Sequence, residues 1–281
     1  MKLVLLYNSF SGNGKGKQLA EKMKASLLSR GLAFDAFENQ WPAELSLYSE
    51  ALLFGGDGTL NYFINRYGVL SLPLTLFPGG TGNDVHWKLF GNVDADSQIL
   101  TWPDYQPKAI DVGVCNDEYF VNMVGIGFDG EVLKKMKAIR WIGGHLGYLS
   151  VVIRLIFSFV ENNLTLSWDN HRKSQPCLLC QVSNSSRTGG GFMVAPHAKI
   201  DDGVLNLTFC GAKSILGRLL FLPKVENGKH LSVKGVKTYP ITKVRIEAPG
   251  AIPYQLDGEL RTGNCFDFKL ADQKLLVRSA Q

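Results

Sequence analysis

One glycine-rich segment, Gly55-Gly-Asp-Gly-Thr59, has the composition of a phosphate-binding loop. It follows a short apolar run and precedes apolar residues at helical spacing, so we predict it between a strand and a helix. Glycines let the backbone approach a ligand closely, and the first amides of the following helix favour an anion. Asp57 indicates a catalytic or metal-binding role, because a carboxylate beside phosphates repels them unless it holds Mg²⁺ or accepts a proton. The alternative is an ordinary strand-to-helix turn capped by Asp or Thr.

Two further loops repeat this pattern. Pro78-Gly-Gly-Thr-Gly-Asn-Asp84 ends the next predicted strand, and Asn8-Ser-Phe-Ser-Gly-Asn-Gly-Lys15 follows the first one. The Asn8–Lys15 loop is not a Walker A loop, because its glycine spacing is one residue short and Gln18 replaces the Mg²⁺-binding Ser or Thr. Loops at the carboxyl edge of one parallel sheet line a common crevice. The three loops therefore predict a site for one anionic, nucleotide-sized ligand.

Two acidic turns lie farther along the chain. Lys199-Ile-Asp-Asp-Gly203 and Leu256-Asp-Gly-Glu259 both offer carboxylate oxygens of the kind that hard cations prefer. Asp-Gly is also the usual two-residue hairpin turn, which is the alternative for each of them taken alone. Their occurrence downstream of a predicted phosphate crevice favours a role in the same site.

Other catalytic arrangements are not indicated. The sequence contains no Gly-x-Ser-x-Gly element, and its five histidines show no metal-like pairing. Cys177 and Cys180 form a Cys-x-x-Cys, but a zinc site would need a second ligand pair at suitable spacing. They lie in a predicted strand, where residues three apart face opposite sides. We interpret them as buried thiols.

The first hundred residues alternate strand-like and helix-like segments, which is typical of a parallel sheet with crossover helices. We predict strands at Leu3–Tyr7, Leu32–Phe37, Glu50–Phe54 and Leu74–Phe77. The helices are predicted at Lys17–Ser29 and from Leu60 to Tyr67. This indicates an α/β N-terminal domain with a parallel sheet. Its Gly55-Gly-Asp-Gly-Thr59 element resembles one found in NAD kinases and phosphofructokinases, which implies a fold like theirs.

The later sequence differs. A helix pair is predicted at Gly130–Ile142 and Leu146–Phe159, and short strands follow between turns. These strands are predicted at Leu164–Trp168, Cys177–Val182, Val204–Phe209, Leu231–Thr238, Lys243–Glu247, Tyr254–Asp257, Cys265–Leu270 and Leu275–Arg278. We expect a β-sandwich C-terminal domain. The predicted division is residues 1–107, α/β, and 108–270, β-rich, with 271–281 able to fold back onto the first domain.

Composition limits the partners. Thirty Lys and Arg against 25 Asp and Glu give a net charge of +5, which is compatible with an anionic ligand and too small to indicate nucleic acid. The longest apolar stretch, Leu146 to Val160, contains Arg154 and is shorter than the ~20 residues of a spanning helix. We expect a cytoplasmic chain without a transmembrane segment, able to associate peripherally with a membrane.

The motif series resembles the bacterial diacylglycerol kinase-like lipid kinases, which are related to sphingosine and ceramide kinases. The matching elements run in the family's order along nearly the whole chain. They are Asn8-x-x-Ser-Gly, Gly55-Gly-Asp-Gly-Thr, Pro78-x-Gly-Thr-Gly-Asn-Asp84, Asn122-x-x-Gly-x-Gly-Phe-Asp, Gly189-Gly-Gly to Asp201-Asp-Gly, and Leu256-Asp-Gly-Glu259. This chain differs at Ser9, where the family usually has Pro, at Tyr62, where it usually has Glu, and in a shortened region at residues 39–49.

The resemblance implies a two-domain kinase that uses ATP and Mg²⁺. It assigns the proton acceptor to Glu259, and a structural Mg²⁺ site to the Asp202 carboxylate with the backbone oxygens of Lys199 and Val204. It also assigns nucleotide contacts to Gly55–Asn61 and Thr81. With the loops described above, the candidate nucleotide-binding residues are Asn8, Ser11, Gly12, Gly55, Gly56, Asp57, Gly58, Thr59, Leu60, Asn61, Gly80, Thr81, Gly82 and Asn83.

We therefore expect phosphorylation of a hydroxyl of diacylglycerol or a similar lipid at a membrane surface, in phospholipid metabolism, with Glu259 or Asp57 as the base. One alternative is a soluble-metabolite kinase of the NAD kinase type, which shares only the Gly55–Thr59 loop. Another is a catalytically impaired nucleotide- or lipid-binding regulator, which Tyr62 and the shortened region would suit. A homodimer and a monomer are both compatible with the sequence.

Overall fold

The computed structural model of the protein describes residues 2–138 and 144–280. Its first part alternates strands and helices: β1 (Leu3–Tyr7), α1 (Lys15–Ser29), β2 (Phe34–Glu38), β3 (Glu50–Gly55), α2 (Asp57–Tyr67), β4 (Leu74–Pro78), α3 (Asp84–Phe90), α4 (Ala95–Thr101) and β5 (Gln106–Ile110). The later part is richer in strands. It contains β6 (Gly113–Cys115), β7 (Glu118–Phe120), β8 (Met123–Gly127), α5 (Phe128–Ala138), α6 (Gly144–Ser158), β9 (Asn162–Trp168), β10 (His171–Ser183), β11 (Leu205–Gly211), α7 (Ile215–Glu226), β12 (Val236–Ile241), β13 (Lys243–Leu256), β14 (Glu259–Leu270) and β15 (Leu275–Ser279).

The described chain divides into two compact units. Unit 1 comprises residues 1–112 and 271–281, and unit 2 comprises residues 113–270. The predicted boundary at Pro107 lies inside β5, which pairs with β15 in the sheet of unit 1. Each unit has its own sheet and its own buried core.

The sheet of unit 1 has the strand order β2-β1-β3-β4-β15-β5. Its first four strands are parallel, β15 adds to β4 in parallel, and β5 is antiparallel to β15. β1, β3 and β4 are buried throughout, as expected of strands covered on both faces. The parallel α/β domain predicted from the alternating pattern is confirmed.

Helix α1 shows why the sequence folds this way locally. Its apolar residues Leu19, Ala20, Met23 and Leu27 recur at helical spacing and are all buried against the sheet. The helix ends at Ser29, and Gly31 follows at φ 67°, a left-handed conformation that glycine adopts without a Cβ penalty.

Unit 2 is dominated by antiparallel strands, so the predicted β-rich C-terminal domain is confirmed. The described residues form a nine-stranded sheet in which β10 and β13 are long enough to pair with different neighbours along their length. β10 pairs with β9 at one end and with β8 and β11 at the other. One core of this unit is made by strand residues, and a second core lies between strands and helices α5, α6 and α7.

Several predicted elements in unit 2 are wrong in their extent. The strand predicted at Leu231–Thr238 instead starts with a single 3₁₀ turn at His230–Ser232, and β12 runs from Val236 to Ile241. The two strands predicted at Lys243–Glu247 and Tyr254–Asp257 are one strand, β13, with an irregularity in its pairing between Glu247 and Ile252. Pro249 and Gly250 lie in this irregular part of β13, where they weaken the pairing without ending the strand.

The Cys-x-x-Cys is another correction. Cys177 and Cys180 are both buried free thiols, as predicted, but they contribute to the same core cluster rather than to opposite faces. The pairing of β10 with β11 shifts between Cys177 and Leu179. A bulge of this kind inserts one residue and returns the following side chains to the other face. Burial raises the pKa of the Cys177 thiol to about 11, which keeps it protonated at neutral pH.

Candidate functional site

Three glycine loops of unit 1 pack against one another through their backbones. A Cβ on Gly56 would lie 2.8 Å from Gly80 Cα, and one on Gly79 would lie 2.7 Å from Gly16 Cα. A Cβ on Gly12 would collide with the carbonyl oxygen of Gly79. The loops after β1, β3 and β4 can therefore come this close only because these positions lack side chains. The predicted convergence of the loops within unit 1 is observed.

Asp57 joins two of these loops. Its carboxylate accepts the backbone N–H of Asp84 at 3.1 Å and that of Val85 at 2.9 Å, at the start of α3. Asp57 is itself the first residue of α2, whose N-cap is Gly56. Both carboxylate oxygens thus satisfy amides that the start of a helix leaves without intrahelical partners. The charge lies between the N-terminal ends of two helices, where their dipoles stabilise it.

The third loop is closed by its own side chain. Asn83 accepts the N–H of Gly80 at 2.8 Å and donates to the carbonyl of Gly80 at 2.8 Å. Asn83 adopts φ 51°, in the left-handed region that Asn tolerates better than most residues. Ser11 Oγ donates to the carbonyl of Gly79 at 3.0 Å, which ties the first loop to the third.

The remaining nucleotide candidates lie along the same edge. Asn8 accepts the N–H of Phe10 at 2.9 Å and so shapes the turn that follows β1. Thr59 and Leu60 belong to the first turn of α2, and both of their amides donate to the carbonyl of Gly56. Asn61 is buried on α2, where Asn65 donates to its carbonyl. The candidates thus include both structural and potentially ligand-facing groups.

Tyr62 lies on α2, and its side chain contacts Trp41 and Arg66. Its ring meets Trp41 edge-on with centroids 5.1 Å apart, and its hydroxyl accepts from Arg66. Arg66 also donates to the carbonyls of Trp41 and Pro42. The shortened region at residues 39–49 is therefore held to α2 by aromatic and guanidinium contacts.

In unit 2, Asp257 and Gly258 form the two-residue turn between β13 and β14. Their φ angles are 47° and 84°, which is the left-handed pair of a type I′ hairpin. The Asp257 carboxylate accepts the N–H groups of Val121, Asn122 and Met123 at 2.7 to 2.9 Å. The turn predicted as the alternative for this motif is observed, and it fixes Glu259 as the first residue of β14.

The proposed cation ligands lie in a turn before β11. Asp202 is exposed, and its carboxylate accepts the N–H of Val204 at 3.3 Å. Among residues 2–138 and 144–280, no group of three or more His, Cys, Asp or Glu side chains is arranged to hold a metal. The donor types nonetheless suit a hard cation, since a carboxylate and the backbone oxygens of Lys199 and Val204 are all oxygen ligands.

Unit 2 also contains a deep apolar pocket of about 320 Å³. Its walls come from α5, α6, α7, β10 and the loop after β10. The apolar lining residues include Phe128, Val132, Ile156, Phe192, Phe221 and Val225. Pockets of this size and apolar character are typical of small-molecule sites.

One end of this pocket is polar. Gln181 Nε2 donates to the Asp129 carboxyl group at 2.6 Å, and Gln255 accepts the N–H of Gly258 at 2.8 Å. Burial raises the pKa of the Asp129 carboxyl group above its ordinary value, and the hydrogen bond from Gln181 opposes this effect. Gln181 Oε1 is buried without a hydrogen-bond partner in the structure. The polar end therefore offers side-chain groups to a ligand whose body is apolar.

Two family models match the chain. Residues 2–115 match the diacylglycerol kinase catalytic domain, and residues 122–277 match the YegS C-terminal NAD kinase beta sandwich-like domain. The second match alone covers more than half of the chain. The chain belongs to the bacterial diacylglycerol kinase-like lipid kinase family.

Relatives and solved structures agree with this family. A Mycobacterium tuberculosis protein named diacylglycerol kinase is 27% identical over 277 residues, which is 92% of this chain and 88% of the relative. A YegS-like lipid kinase of Yersinia pseudotuberculosis is 25% identical over 98% of this chain and 96% of its own. A Bacillus anthracis diacylglycerol kinase structure has a TM-score of 0.71 at 19% identity, covering 99% of this chain and 96% of that one. Another Bacillus anthracis chain reaches 0.77 at 21% identity, with 99% and 95% coverage.

Several pocket residues of this lipid kinase family member were not predicted from its sequence. The whole of α7 was missed, because its apolar residues lie on every side and Pro223 lies within it. Ser214 was an available signal, since its side chain accepts the N–H of Gly217 as a helix N-cap. Asp129 is the last residue of the Asn122-x-x-Gly-x-Gly-Phe-Asp motif, whereas nothing in the sequence singles out Gln181 within an apolar strand.

Proposed function

We propose that this chain transfers the γ-phosphate of ATP to a hydroxyl group of diacylglycerol or a similar lipid. The family gives the kinase class, and the apolar pocket of unit 2 carries the choice of a lipid acceptor. A soluble dinucleotide does not match that pocket, because the surface of the dinucleotide is polar whereas the pocket is mainly apolar. An acyl chain matches it, because each buried methylene contributes about 0.8 kcal/mol.

The nucleotide is assigned to the loops of unit 1. Backbone N–H groups near Gly56, Gly58, Gly80 and Gly82 would hold the phosphates, since glycine loops at the start of helices bind such anions. The interlocked loop backbones support this assignment, because a fixed set of donors needs no reorganisation during transfer.

Glu259 is proposed as the group that accepts the proton of the lipid hydroxyl. It begins β14 at a position fixed by the type I′ turn, and it shares the hairpin end with Gly258, which lines the lipid pocket. Asp57 is the less suitable base, because both of its oxygens already accept backbone N–H groups of α3. We assign Asp57 to positioning two phosphate-binding loops.

Mg²⁺ would neutralise charge that develops on the phosphates during transfer. In this chain, Asp202 with the carbonyl oxygens of Lys199 and Val204 would hold a cation as part of the structure of unit 2. The oxygen-only donor set supports a hard cation in that turn.

The lipid polar head is assigned to the end of the pocket formed by Asp129, Gln181 and Gln255. Together, the Asp129 carboxyl group and the two amides can donate and accept hydrogen bonds. Such groups suit the neutral glycerol and ester oxygens of diacylglycerol, while the apolar walls suit its acyl chains.

Phosphate transfer from radiolabelled ATP tests this function. We expect label in the product with detergent-dispersed dioleoylglycerol, and none with NAD. Glu259→Gln should lower turnover by about 10²-fold or more, the usual contribution of a general base. The control Glu247→Gln lies on the exposed side of β13 and should retain wild-type turnover.

Labelled NADP would contradict the lipid assignment and favour a soluble-metabolite kinase. Binding of ATP by calorimetry without transfer to any lipid of a total extract would favour a regulator that has lost catalysis. Unchanged turnover in Glu259→Gln would refute the base assignment while leaving the reaction intact.

A further inference from the structure

Exposed apolar side chains are concentrated on two neighbouring helices of unit 2. Among the described residues, thirteen large hydrophobic side chains are exposed. Seven of them lie on α6, on α7, or two residues after the end of α6. These seven are Ile153, Phe157, Val160, Ile215, Leu216, Leu219 and Leu220. Single exposed apolar residues are ordinary, but a concentration of this kind indicates a contact surface.

The exposed residues of α6 share one face. Ile153 and Phe157 are spaced by four positions, which places them one above the other on the helix, and Val160 follows two residues after the helix ends. The opposite side of α6 carries Val151 and Leu155, which are buried in the helix-facing core of unit 2. The helix is therefore apolar on two sides, of which only one is covered.

Helix α7 has the same property. Its inner residues Phe221 and Val225 are buried and line the apolar pocket. Its outer residues form the pairs Ile215–Leu216 and Leu219–Leu220, one turn apart, and Leu220 is 64% exposed. A helix that is apolar all round is normally buried in a protein core or in lipid.

The two helices are fixed to each other. Arg218 of α7 donates to the carbonyls of Ile156 and Phe159 at 2.8 and 2.9 Å, at the C-terminal end of α6. It also forms an ion pair with Glu161 at 2.7 Å, with both side chains about one-tenth exposed. The exposed apolar residues are thus presented by a braced helix pair, which we call the α6–α7 face.

Among the described residues of helices α6 and α7, the exposed charged ones are two cations and one anion, so their net charge is positive. Arg154 on α6 and Lys224 on α7 are exposed. The sequence of the two helices contains one acidic residue, Glu226, at the last position of α7. Cations beside exposed apolar residues match a surface with an apolar interior and negative head groups.

We propose that the α6–α7 face docks on a bilayer that contains anionic lipid, with its apolar side chains inserted at the head-group boundary. This proposal rests on the proposed function in one respect. The inner sides of the same helices line the pocket assigned to the acyl chains. A lipid that leaves the bilayer would therefore enter a pocket whose walls belong to the helices in contact with that bilayer.

Vesicle co-sedimentation of the full chain tests the docking. We expect binding to vesicles of 70% phosphatidylcholine and 30% phosphatidylglycerol, and weaker binding to phosphatidylcholine alone or in 0.5 M NaCl. Leu220→Glu should reduce vesicle binding about tenfold or more, from the loss of one inserted leucine. The matched control is Leu100→Glu on α4 of unit 1, which has the same 64% exposure and should bind as the wild type does.

Leu220→Trp provides the opposite change and should strengthen vesicle binding, because Trp favours the membrane interface. Equal vesicle binding by Leu220→Glu and Leu100→Glu would overturn the proposal. So would a wild-type dimer in analytical ultracentrifugation that Leu220→Glu dissociates without any vesicle binding, since a second copy would then cover the face.

Turnover on a water-soluble short-chain diacylglycerol separates this proposal from the proposed function. Leu220→Glu should keep wild-type turnover on that substrate and lose turnover on vesicles. If no variant phosphorylates any lipid, the proposed function fails, while the vesicle-binding ratio of the two glutamate variants still decides the docking.

Discussion

The glycine loops of unit 1 and the apolar pocket of unit 2 are built in different ways. The loops approach one another through bare backbone, so that almost any side chain at Gly56 or Gly79 would separate them. The pocket is walled by side chains from three helices and a strand, and its lining residues come from several distant segments of the chain. The loop site depends on the absence of side chains, whereas the pocket depends on their presence.

This difference determines how each region should respond to substitution. A methyl group added between packed backbones has no space to enter, and the surrounding atoms are not flexible ends of side chains. A conservative change in the pocket alters the lining without moving the backbone. We therefore expect severe effects in unit 1 from very small changes, and graded effects in unit 2.

Gly79→Ala should produce the largest effect on stability. Its Cβ would lie 2.7 Å from Gly16 Cα and 3.0 Å from Gly55 N, so two loops must move apart. We expect a loss of about 1–3 kcal/mol in the free energy of unfolding, measured by urea titration, and a weakened affinity for ATP. Gly250→Ala is the control, because a Cβ there meets no atom within 4 Å. Equal stability of the two variants would show that the loops are not tightly packed.

Asp129→Asn should have a smaller effect of opposite sign. Burial raises the pKa of Asp129 above its ordinary value of 3.8. The folded state therefore binds more protons than the unfolded state, and the stability contributed by this group is lost as the pH rises through the folded pKa. Asn cannot ionise, so the variant should have a higher thermal midpoint than the wild type at pH 8, with a smaller difference at pH 5.

Asp117→Asn is the control for that comparison, since Asp117 is an exposed residue of the same unit. A lower midpoint for Asp129→Asn at pH 8 would show that the charged carboxylate stabilises the folded state, which contradicts a raised pKa for Asp129. Midpoints are read from calorimetric scans at matched ionic strength.

His86→Gln should have the smallest effect, limited to acidic pH. His86 is buried in unit 1 beside Gln98, at 3.0 Å, and burial lowers its pKa below the ordinary value of 6.5. The unfolded chain then binds more protons as the pH falls through 6.5, so the free energy of unfolding decreases on acidification. Unfolding titrations from pH 7.5 to 5 should show a flatter dependence in His86→Gln than in the exposed control His197→Gln. Identical slopes would exclude His86 as a source of acid sensitivity.

The parallel sheet of unit 1 was predictable because buried strands read as short apolar runs. Leu3–Tyr7 was predicted with the limits that the structure has, and β3 and β4 differ from their predictions by one residue at the C-terminal end. β5 and α7 were missed, because the exposed residues of β5 and the apolar residues around α7 have no periodicity. Long-range pairing decides such elements, and a local pattern does not contain it.

The two candidate regions were predictable to different degrees for a related reason. A backbone-built site requires glycine at fixed places, so the three loops were visible as clusters in the sequence. The pocket residues Asp129, Gln181 and Phe221 come from distant segments and are common residue types, so only the fold identifies them. The hairpin role of Asp257 was available from its Asp-Gly pair, whereas its three amide partners were not.

Residues 2–138 and 144–280 contain no helix long and apolar enough to cross a membrane. We assign the expected peripheral association to the α6–α7 face. Its test is independent of the loop site, because every residue of that face belongs to unit 2.

Hydrogen exchange measured by mass spectrometry most directly tests whether unit 1 binds the nucleotide and unit 2 binds the lipid. A non-hydrolysable ATP analogue with Mg²⁺ should slow exchange in peptides covering residues 55–61 and 79–84. Dispersed dioleoylglycerol alone should instead slow exchange in peptides from α5, α7 and the second half of β10. Protection of the same peptides by both ligands, or protection of the loops by the lipid alone, would contradict an account in which unit 1 binds the nucleotide and unit 2 binds the lipid.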